Sequence, residues 1–330
     1  MAKVTVREIA KIAGVSIGTV SRALKSQPGL SEATRAHILK IAHELAYDFE
    51  RLRETRLKRL TFILHRSHNN LFSSPFYSQV LNGAEAQCRD EGMTLSYLAI
   101  GPGDVVDQML AAHAPDALLC AGFMDADLIA LLKASGKPLV LVDHVSPGLP
   151  SVTVENFEGA VAAVAHLVAM GRKRIAFLSG SLTHHSIRQR ERGYRQALFD
   201  AGRLADPALE VSLPLDQAFN TKNTIAAMNR LLDLPEPPDA IFACNDATAL
   251  AAMRACDLRG VRIPEDIAFI GFDDISQAAD AVPPLSTVAI DKEALGRAGV
   301  RLLFEDPALV QSHTLPVELI VRASSAGGQI

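Results

Sequence analysis

A chain of 330 residues with 48% hydrophobic residues can bury large cores, which excludes a disordered or fibrous protein and predicts two or three domains. Its longest apolar runs fall short of the ~20 residues that a membrane span needs, and charged residues near Met1 interrupt any signal peptide. We therefore expect a cytoplasmic protein without a membrane partner. Four cysteines without a CxxC spacing predict buried thiols rather than a zinc site or a disulfide framework.

Charge is unevenly distributed along the chain, although the net charge is only −4. Residues 1–60 contain 12 Lys and Arg against 6 Asp and Glu, a balance of +6. Subtraction from the totals of 33 and 37 leaves 21 against 31 for residues 61–330, a balance of −10. A basic first part predicts a module that binds a polyanion, fused to a body with a different partner. Ordinary solvated surface charge is the alternative.

Two short helices are predicted at the start of the chain. The first has apolar residues at near-helical spacing, namely Val4, Ile9, Ile12 and Ala13. Thr5 is its predicted N-cap, Glu8 completes a capping box, and Gly14 supplies a sharp turn. Ser16 then caps a second helix. On that helix the inward residues are Val15, Val20 and Leu24, and the outward residues are Ile17, Gly18, Ser21 and Arg22.

A third helix follows the break at Pro28-Gly29. Ser31 is its predicted cap, and its apolar stripe consists of Ile38, Ile41, Ala42 and Leu45. Three short helices with a Gly-containing turn between the first two predict a helix-turn-helix, whose second helix enters the major groove of DNA. An ordinary amphipathic hairpin is the alternative, and the outward Arg22 on a basic module makes it less favourable.

The stretches VTVREIAKIAGVSIGTVSRAL and LSEATRAHILKIAHELAY resemble the DNA-binding head of the LacI/GalR family of bacterial transcription regulators over positions 4 to 47. The resemblance implies that Ile17, Gly18 and Arg22 face base edges. It also implies that phosphates are contacted by Thr5, Ser16, Thr19, Ser21, Ser31 and Thr34. Family members often have larger polar or aromatic residues where Ile17 and Gly18 stand. Base readout should therefore depend on Arg22, which can pair bidentately with a guanine.

The predicted linker, residues 48–60, departs from this family. Family members normally carry a hinge helix reading Pro-Asn-x-x-Ala-x-x-Leu, whose Leu wedges into the minor groove and kinks the duplex. The matching stretch here reads FERLRETR from Phe49 to Arg56, and the connection is shorter. Leu57 could wedge instead, Arg56 could enter a narrow A-tract groove, or the DNA is not kinked. A plain solvated helix over residues 51–59 is a further alternative.

From Thr61 onward, short apolar runs alternate with helical patterns, and the alternation starts again after residue 155. This pattern predicts an α/β body of two doubly wound parallel-sheet lobes, with a ligand cleft at the carboxyl ends of the strands. We expect the first lobe at about 61–155 and 290–312, and the second at about 156–289 and 313–330.

The body resembles the periplasmic-binding-protein-like effector domain of the same family over residues 61–325, through stretches such as VENFEGA, CNDATALAAM and IPEDIAFIGFDD. The resemblance implies a sugar or sugar-acid effector that contacts Phe76, Asp143, Arg190, Phe219, Asn245 and Asp273, with Tyr77 as a further candidate. Aromatic faces would stack on a sugar ring and polar groups would bind its hydroxyls. His184 and His185 are expected to be solvated loop residues.

Each of these positions also has a structural alternative. Phe76 could anchor its helix, Asn245 could cap one, and Asp273 could belong to a turn. Arg190 could form a surface ion pair with Glu191, because it lies on a helix with three other arginines.

No catalytic constellation is recognisable in the sequence, so we expect no enzyme, no metal site and no cofactor. The sequence predicts a transcription regulator, a repressor that binds a near-palindromic operator in double-stranded DNA as a homodimer. An effector in the cleft between the lobes would change its affinity for DNA. A transport-type sugar-binding protein without a DNA role is the alternative, but such a protein has no use for a basic helix-turn-helix head.

Overall fold

The computed structural model describes residues 4–24, 29–45, 47, 57–66, 75–101, 103–214, 220–305 and 312–326. The chain divides into two units, residues 1–58 and 59–330, called here the head and the body. Within the described ranges, no helix combines the length and the apolar character needed to cross a bilayer.

The head consists of three helices, α1 (Val6–Ala13), α2 (Ile17–Leu24) and α3 (Glu32–Glu44). The predicted capping box at Thr5 is present, because the amide of Thr5 donates to Oε2 of Glu8 at 2.7 Å and the amide of Glu8 donates to Oγ1 of Thr5 at 3.4 Å. Gly14 ends α1 with a φ of 67°, a conformation that favours glycine. The predicted helix-turn-helix is thereby confirmed.

The head has its own apolar core, formed by Ile9, Ala10, Val20, Ala23, Leu24, Ile38, Ile41, Ala42 and Tyr47. Ile12, which the apolar spacing groups with Ile9, lies outside this core, because its side chain is 57% exposed. Ile9 and Ala10 take up the face of α1 that packs on the other two helices. Ile12 lies about 200° around the helix from Ala10 and faces away.

The elements of the body follow in chain order. They are β1 (Arg59–His65), α4 (Pro75–Asp90), β2 (Thr94–Ile100), α5 (Val106–His113), β3 (Ala117–Ala121), α6 (Ala126–Ala134), β4 (Leu139–Val142), β5 (Ser151–Val154), α7 (Asn156–Ala169), β6 (Ile175–Ser179), α8 (His185–Asp200), a 3₁₀ turn (Pro207–Leu209), β7 (Glu210–Ser212), α9 (Thr221–Leu232), β8 (Ala240–Ala243), α10 (Asp246–Leu258), β9 (Ala268–Asp273), α11 (Ser276–Asp280), β10 (Ser286–Ile290), α12 (Lys292–Leu302), β11 (Ser312–Leu315), β12 (Val317–Ile320) and α13 (Ala323–Ala326).

The strands form two six-stranded sheets, one in each lobe. The first has the order β11-β5-β4-β3-β1-β2 and all its neighbours are parallel. The second has the order β12-β10-β9-β8-β6-β7 and is parallel except for β12, which runs antiparallel to β10. The two doubly wound parallel-sheet lobes predicted from the sequence are confirmed.

Two predicted boundaries move by a few residues. β1 begins at Arg59, inside the predicted linker, because Arg59 finds a partner in Thr94 of β2. Residues 313–315 belong to the first lobe rather than to the second, because β11 pairs with β5 in register from Ser312 opposite Ser151. The hydroxyls of these two serines are 3.0 Å apart. The chain passes to the second sheet with β12, at Val317.

Both sheets are covered on both faces, which explains why their central strands are apolar throughout. β3, β4, β6, β8 and β9 are buried along their whole length. All four cysteines of the chain are buried, as the sequence predicts. Cys88 and Cys120 lie in elements of the first lobe, and Cys256 lies on α10 of the second.

Helices α4 and α12 of the first lobe pack with their backbones almost in contact. A Cβ atom on Gly296 would collide with the carbonyl oxygen of Val80, and one on Gly83 would collide with the backbone of Glu293. Glycine is required at both positions for the helices to approach this closely. The two helices are therefore held together as one unit on the first sheet.

Candidate functional sites

The predicted DNA-contacting residues of the head lie at or near its surface. Ser16 caps α2, since the amide of Thr19 donates to Oγ of Ser16 at 3.1 Å, and the two hydroxyls are 2.7 Å apart. Ser31 and Thr34 repeat this arrangement at the start of α3, with distances of 3.2 and 2.7 Å. Hydroxyls and free amides at a helix N-terminus suit a phosphate, because the partial positive charge of the helix lies there.

The outward face of α2 is arranged as the sequence predicts. Ile17 is 50% exposed, and Gly18 and Arg22 are exposed. The contact of the Arg22 Nε with the carbonyl of Gly18 is long, at 3.4 Å. Arg22 can therefore leave this contact at little cost to bind another acceptor.

Two of the predicted DNA contacts belong to the linker. Arg56 lies outside the described residues. Leu57 is half-buried and lies two residues before β1 begins. The alternatives for the hinge stay open.

Three of the predicted effector contacts lie at the carboxyl ends of strands in the two sheets, whereas Phe76 and Arg190 lie on helices α4 and α8. Asp143 directly follows β4 of the first lobe, Asp273 ends β9 of the second, and Asn245 follows β8 by two residues. Phe219 lies outside the described residues. Carboxyl ends of parallel strands are where open α/β sheets bind ligands, which makes this cleft the candidate effector site.

The first lobe contributes a pair formed by the buried Tyr77 and the half-buried Asp143. The hydroxyl of Tyr77 donates to Oδ2 of Asp143 at 2.9 Å, and the side chain of Ser186 in the second lobe also hydrogen-bonds to this carboxyl group. Burial raises the pKa of Asp143, although Arg190 and these hydrogen bonds act against it. Phe76 packs edge-on against Tyr77, with 5.0 Å between the ring centroids. Asp143 thus links the two lobes.

Arg190 is the centre of the polar network in the second lobe. Its Nε donates to Oδ1 of Asn156 at 2.8 Å, and one terminal nitrogen donates to the carbonyl of Cys244 at 2.5 Å and lies 3.3 Å from Oδ1 of Asp273. Its guanidinium carbon lies 3.7 Å from the centroid of the Phe272 ring. Only 4% of Arg190 is exposed.

The alternative of a surface ion pair with Glu191 does not hold for Arg190. Glu191 pairs with Arg195, at 2.8 Å, rather than with Arg190. Arg188, Arg192 and Arg195 lie on the exposed side of α8. Helix spacing alone does not identify which of the four arginines faces inward.

Asp273 and Asp274 point to different partners, as expected for adjacent residues. Asp273 faces Arg190, whereas Asp274 pairs with Arg322 at 2.7 Å. Both have positive φ angles, 112° and 51°. Burial is the largest influence on Asp273 and raises its pKa to about 6, while Arg190 and Lys292 lower it.

Asp246 is a fully buried acid beside this network. Thr287 donates to its Oδ1 at 2.6 Å and the amide of Ile275 donates to its Oδ2 at 2.9 Å. Burial, with repulsion from Asp273 second, raises the pKa of Asp246 to about 8. The folded state therefore retains a proton here that the unfolded chain releases near pH 4.

This retained proton predicts a loss of stability as pH rises. Between pH 4 and pH 8 the folded state binds more protons than the unfolded state, so the free energy of unfolding falls by up to about 1.4 kcal/mol per pH unit. We expect Asp246→Asn to remove this slope, which urea unfolding at pH 7 and pH 8 would measure. His144 contributes a pH dependence only between its lowered pKa of about 4 and the ordinary pKa of 6.5, and Asp273 only up to its raised pKa of about 6, so pH 7 and pH 8 lie above both ranges.

The matched control is Asp266→Asn. Arg262 lowers the pKa of this exposed carboxyl group to about 2, so its loss shifts stability equally at pH 7 and pH 8. An Asp246→Asn variant with the same slope as the unmodified chain would show that Asp246 is ionised at neutral pH.

The sequence did not predict a cluster of three rings, which belong to Phe123, His144 and His184. The Phe123 ring lies 4.9 Å from the ring of His184 and 5.8 Å from that of His144, between centroids. The expectation that His184 is solvated is wrong, since only 5% of it is exposed, and His185 is half-buried. Nδ1 of His144 is buried with no hydrogen-bond partner in the described ranges. Burial lowers the pKa of His144 to about 4, which leaves it neutral.

Other residues of the network also escaped the sequence analysis, namely Asn156, Ser186, Phe272 and Lys292. Asn156 opens α7 two residues after β5 ends, a position that could have suggested a strand-end ligand. Nothing near the other three in sequence indicates their role. Asn245 does cap α10, since the amide of Thr248 donates to its Oδ1 at 2.9 Å, so the proposed alternative for it is present.

The acidic and histidine residues near the cleft do not form a metal site. Among the residues that the structure describes, no group of three or more His, Cys, Asp or Glu side chains could hold a metal ion. The described side chains of the cleft offer hydrogen-bonding groups, charge and aromatic faces.

The head and the body each match a known protein family. Residues 5–48 match the family model of the bacterial regulatory proteins, lacI family, and residues 164–325 match that of the periplasmic binding protein-like domain. The HTH-type transcriptional repressor PurR of Mannheimia succiniciproducens is 30% identical over 337 residues, which cover 97% of this chain and 98% of that protein. The HTH-type transcriptional regulator CelR of Thermobifida fusca is 32% identical over 331 residues, with coverage of 96% and 95%.

Two solved structures resemble this chain over nearly its whole length. A complex of the transcriptional regulator CelR with cellobiose is 29% identical, with a TM-score of 0.74 and coverage of 98% of this chain and 100% of that one. A lac repressor dimer bound to operator and the anti-inducer ONPF is 25% identical, with a TM-score of 0.70 and coverage of 98% and 99%.

Proposed function

The chain belongs to the LacI family of bacterial transcription regulators, and from this premise we propose that it is a repressor switched by a sugar. It binds a near-palindromic operator in double-stranded DNA as a homodimer, in the cytoplasm. A hydroxyl-rich small molecule in the cleft between the lobes changes its affinity for the operator. The observation that carries the proposal is the polar network between the two lobes, formed by the half-buried Asp143 and the buried Arg190 and Asp273.

The residues of the head divide into those that contact phosphates and those that contact bases. The capping hydroxyls of Ser16, Thr19, Ser31 and Thr34, with those of Thr5 and Ser21, contact phosphates and fix the position of α2. Ile17, Gly18 and Arg22 face the bases. One α2 helix reads only a few base pairs, so specificity requires two half-sites and hence a dimer.

Arg22→Ala tests this division. Loss of a bidentate contact should reduce discrimination by about 1 to 3 kcal/mol at one base pair of each half-site. Fluorescence anisotropy with operator duplexes that differ only at that pair measures the effect. Thr34→Ala is the control, because a lost phosphate contact should weaken binding to all duplexes alike. Equal losses on every duplex for Arg22→Ala would contradict base readout.

The cleft favours a neutral sugar over a sugar acid. The carboxyl groups of Asp143 and Asp273 face the cleft, and the guanidinium of Arg190 already binds Asp273. A ligand carboxylate or phosphate would lie next to these acids, whereas sugar hydroxyls donate to them. Phe76, Phe123 and, in the part of the chain not described, Phe219 are candidate stacking partners. Asn245 is left with its amide group for a ligand, because its carbonyl oxygen caps α10.

The experiment that tests the proposal selects bound sequences from random duplex DNA at fixed salt, with and without single sugars. The panel contains cellobiose, ribose, glucose and xylose, with glucuronate, gluconate and glucose 6-phosphate as acidic members. A recovered palindrome whose yield changes with a neutral sugar supports the whole proposal. Recovery of random, salt-sensitive DNA would reduce the head to a general DNA anchor. A response to acidic members alone would refute the neutral effector.

A further inference from the structure

Lys292 is a buried lysine with no role in the sequence analysis. It is the first residue of α12, and 6% of it is exposed. Its Nζ donates to the carbonyl oxygens of Asp273, Asp274 and Ile290 at 2.5, 3.0 and 3.1 Å. An ammonium group has three N–H donors, and all three are used. Lys292 has no donor left for a ligand, so any effect on the effector is indirect.

The backbone that Lys292 binds is the segment that presents Asp273 to the cleft. Asp273 and Asp274 both have positive φ angles, which are uncommon for residues with a side chain. Two further hydrogen bonds hold this segment, since the amide of Asp274 donates to Oγ1 of Thr287 at 3.3 Å and that of Ile275 donates to Asp246. Two charge-assisted hydrogen bonds from the ammonium group, to the carbonyls of Asp273 and Asp274, add to these contacts and stabilise the unusual backbone, while the third, to Ile290, ties it to β10.

Lys292 belongs to helix α12, which is packed on the first lobe. Helix α12 packs on α4 through Gly83 and Gly296 and covers the first sheet, where Gly299 lies against Leu119 and Val142. The carbonyls that Lys292 binds belong to β9, β10 and the residue after β9, all in the second lobe. One side chain therefore joins the strand end of the second lobe to the helix pair that carries Phe76 and Tyr77.

We propose that Lys292 is a positioning residue for the effector, which holds the backbone of Asp273 and Asp274 from the first lobe. The proposal rests on the proposed function in taking Asp273 as an effector contact. Without the ammonium group, Asp273 loses its fixed position, and effector affinity falls while the head still binds DNA. A purely structural role would instead destabilise the second lobe as a whole.

Hydrogen exchange without any sugar separates these two roles. In Lys292→Met, which keeps the length of the side chain, we expect the amides of Asp274 and Ile275 to exchange at least about tenfold faster. The amides of β8 should change little, and Lys292→Arg, which keeps charge and donors, should restore part of the protection. Lys133→Met, at an exposed lysine of α6, is the control. Equal acceleration at β8 and at residues 274–275, or no acceleration, would overturn the proposal.

A measurement on the unmodified chain covers the case that Lys292→Met does not fold. Three carbonyl acceptors and burial predict a slowly exchanging ammonium resonance in ¹⁵N-lysine spectra, identified by its loss in Lys292→Arg. Fast exchange of every lysine ammonium group would also overturn the proposal.

The consequence for the effector is tested with whichever sugar of the panel above gives the largest response. Lys292→Met should raise the Kd of that sugar about tenfold or more, with operator affinity in its absence unchanged within about twofold. If the unmodified chain responds to no sugar of the panel, the proposed effector class fails, whereas the exchange data still decide whether Lys292 holds the backbone. An unchanged Kd would overturn the role of Lys292 alone.

Discussion

Replacement of Arg190 by methionine is expected to destabilise the body by about 3 to 5 kcal/mol, because it removes one partner of a buried ion pair. The carboxylate of Asp273 would remain buried next to Asp143, and Asn156 and the carbonyl of Cys244 would lose their donor. Methionine retains the packing against Phe272, so lost charge and hydrogen bonds account for the effect. Urea unfolding at pH 7 measures it.

Arg188→Met is the matched control, since Arg188 lies two residues earlier on the exposed side of the same helix. Surface substitutions of this kind usually change stability by less than about 0.5 kcal/mol. The stability of Arg190→Lys should lie between those of Arg188→Met and Arg190→Met, because an ammonium group keeps the charge but loses the planar donor geometry. Similar unfolding midpoints for Arg188→Met and Arg190→Met would show that the buried network contributes little.

Asp273→Asn is expected to abolish most of the response to the effector while the effector-free protein keeps its affinity for the operator. The amide keeps the shape of the side chain but accepts weaker hydrogen bonds from sugar hydroxyls than a carboxylate does, so the Kd of the effector should rise about 10- to 100-fold. Titration of the sugar into a complex with labelled operator, followed by anisotropy, gives both affinities.

Asp274→Asn provides the comparison for this variant. The two aspartates are adjacent, but Asp274 pairs with Arg322 and not with Arg190. A substitution there should leave the sugar titration nearly unchanged. If both variants lose the response equally, the left-handed turn rather than the carboxylate of Asp273 is what the effector requires, and if neither does, the effector binds elsewhere.

The sequence predicts the head in more detail than the body because its signals are local. The capping residues Thr5, Ser16 and Ser31 stand within three residues of the groups that they cap, and the structure reproduces all three caps. Ile12 is the exception, since an eight-residue helix buries only a narrow face and spacing does not define which face that is.

In the cleft, the residue types were predictable but the network was not. Arg190 contacts Asn156, 34 residues earlier, and Asp273, 83 residues later, and no local pattern reports such contacts. The role of Lys292 likewise depends on a helix of one lobe meeting a strand end of the other. β11 was assigned to the wrong lobe because β11 and β12 are separated by one residue and both have a short strand pattern.

That last feature also bears on how the chain folds. Each sheet gains an edge strand from the last part of the sequence, β11 for the first and β12 for the second. The first lobe begins with residue 59 but lacks α12 and β11 until residues 292–315 have left the ribosome. Neither lobe can therefore complete its fold before β11 and β12 emerge, and both become complete within a few residues of each other. Folding of the two lobes should be cooperative and slow relative to that of the head, whose three helices are close in sequence.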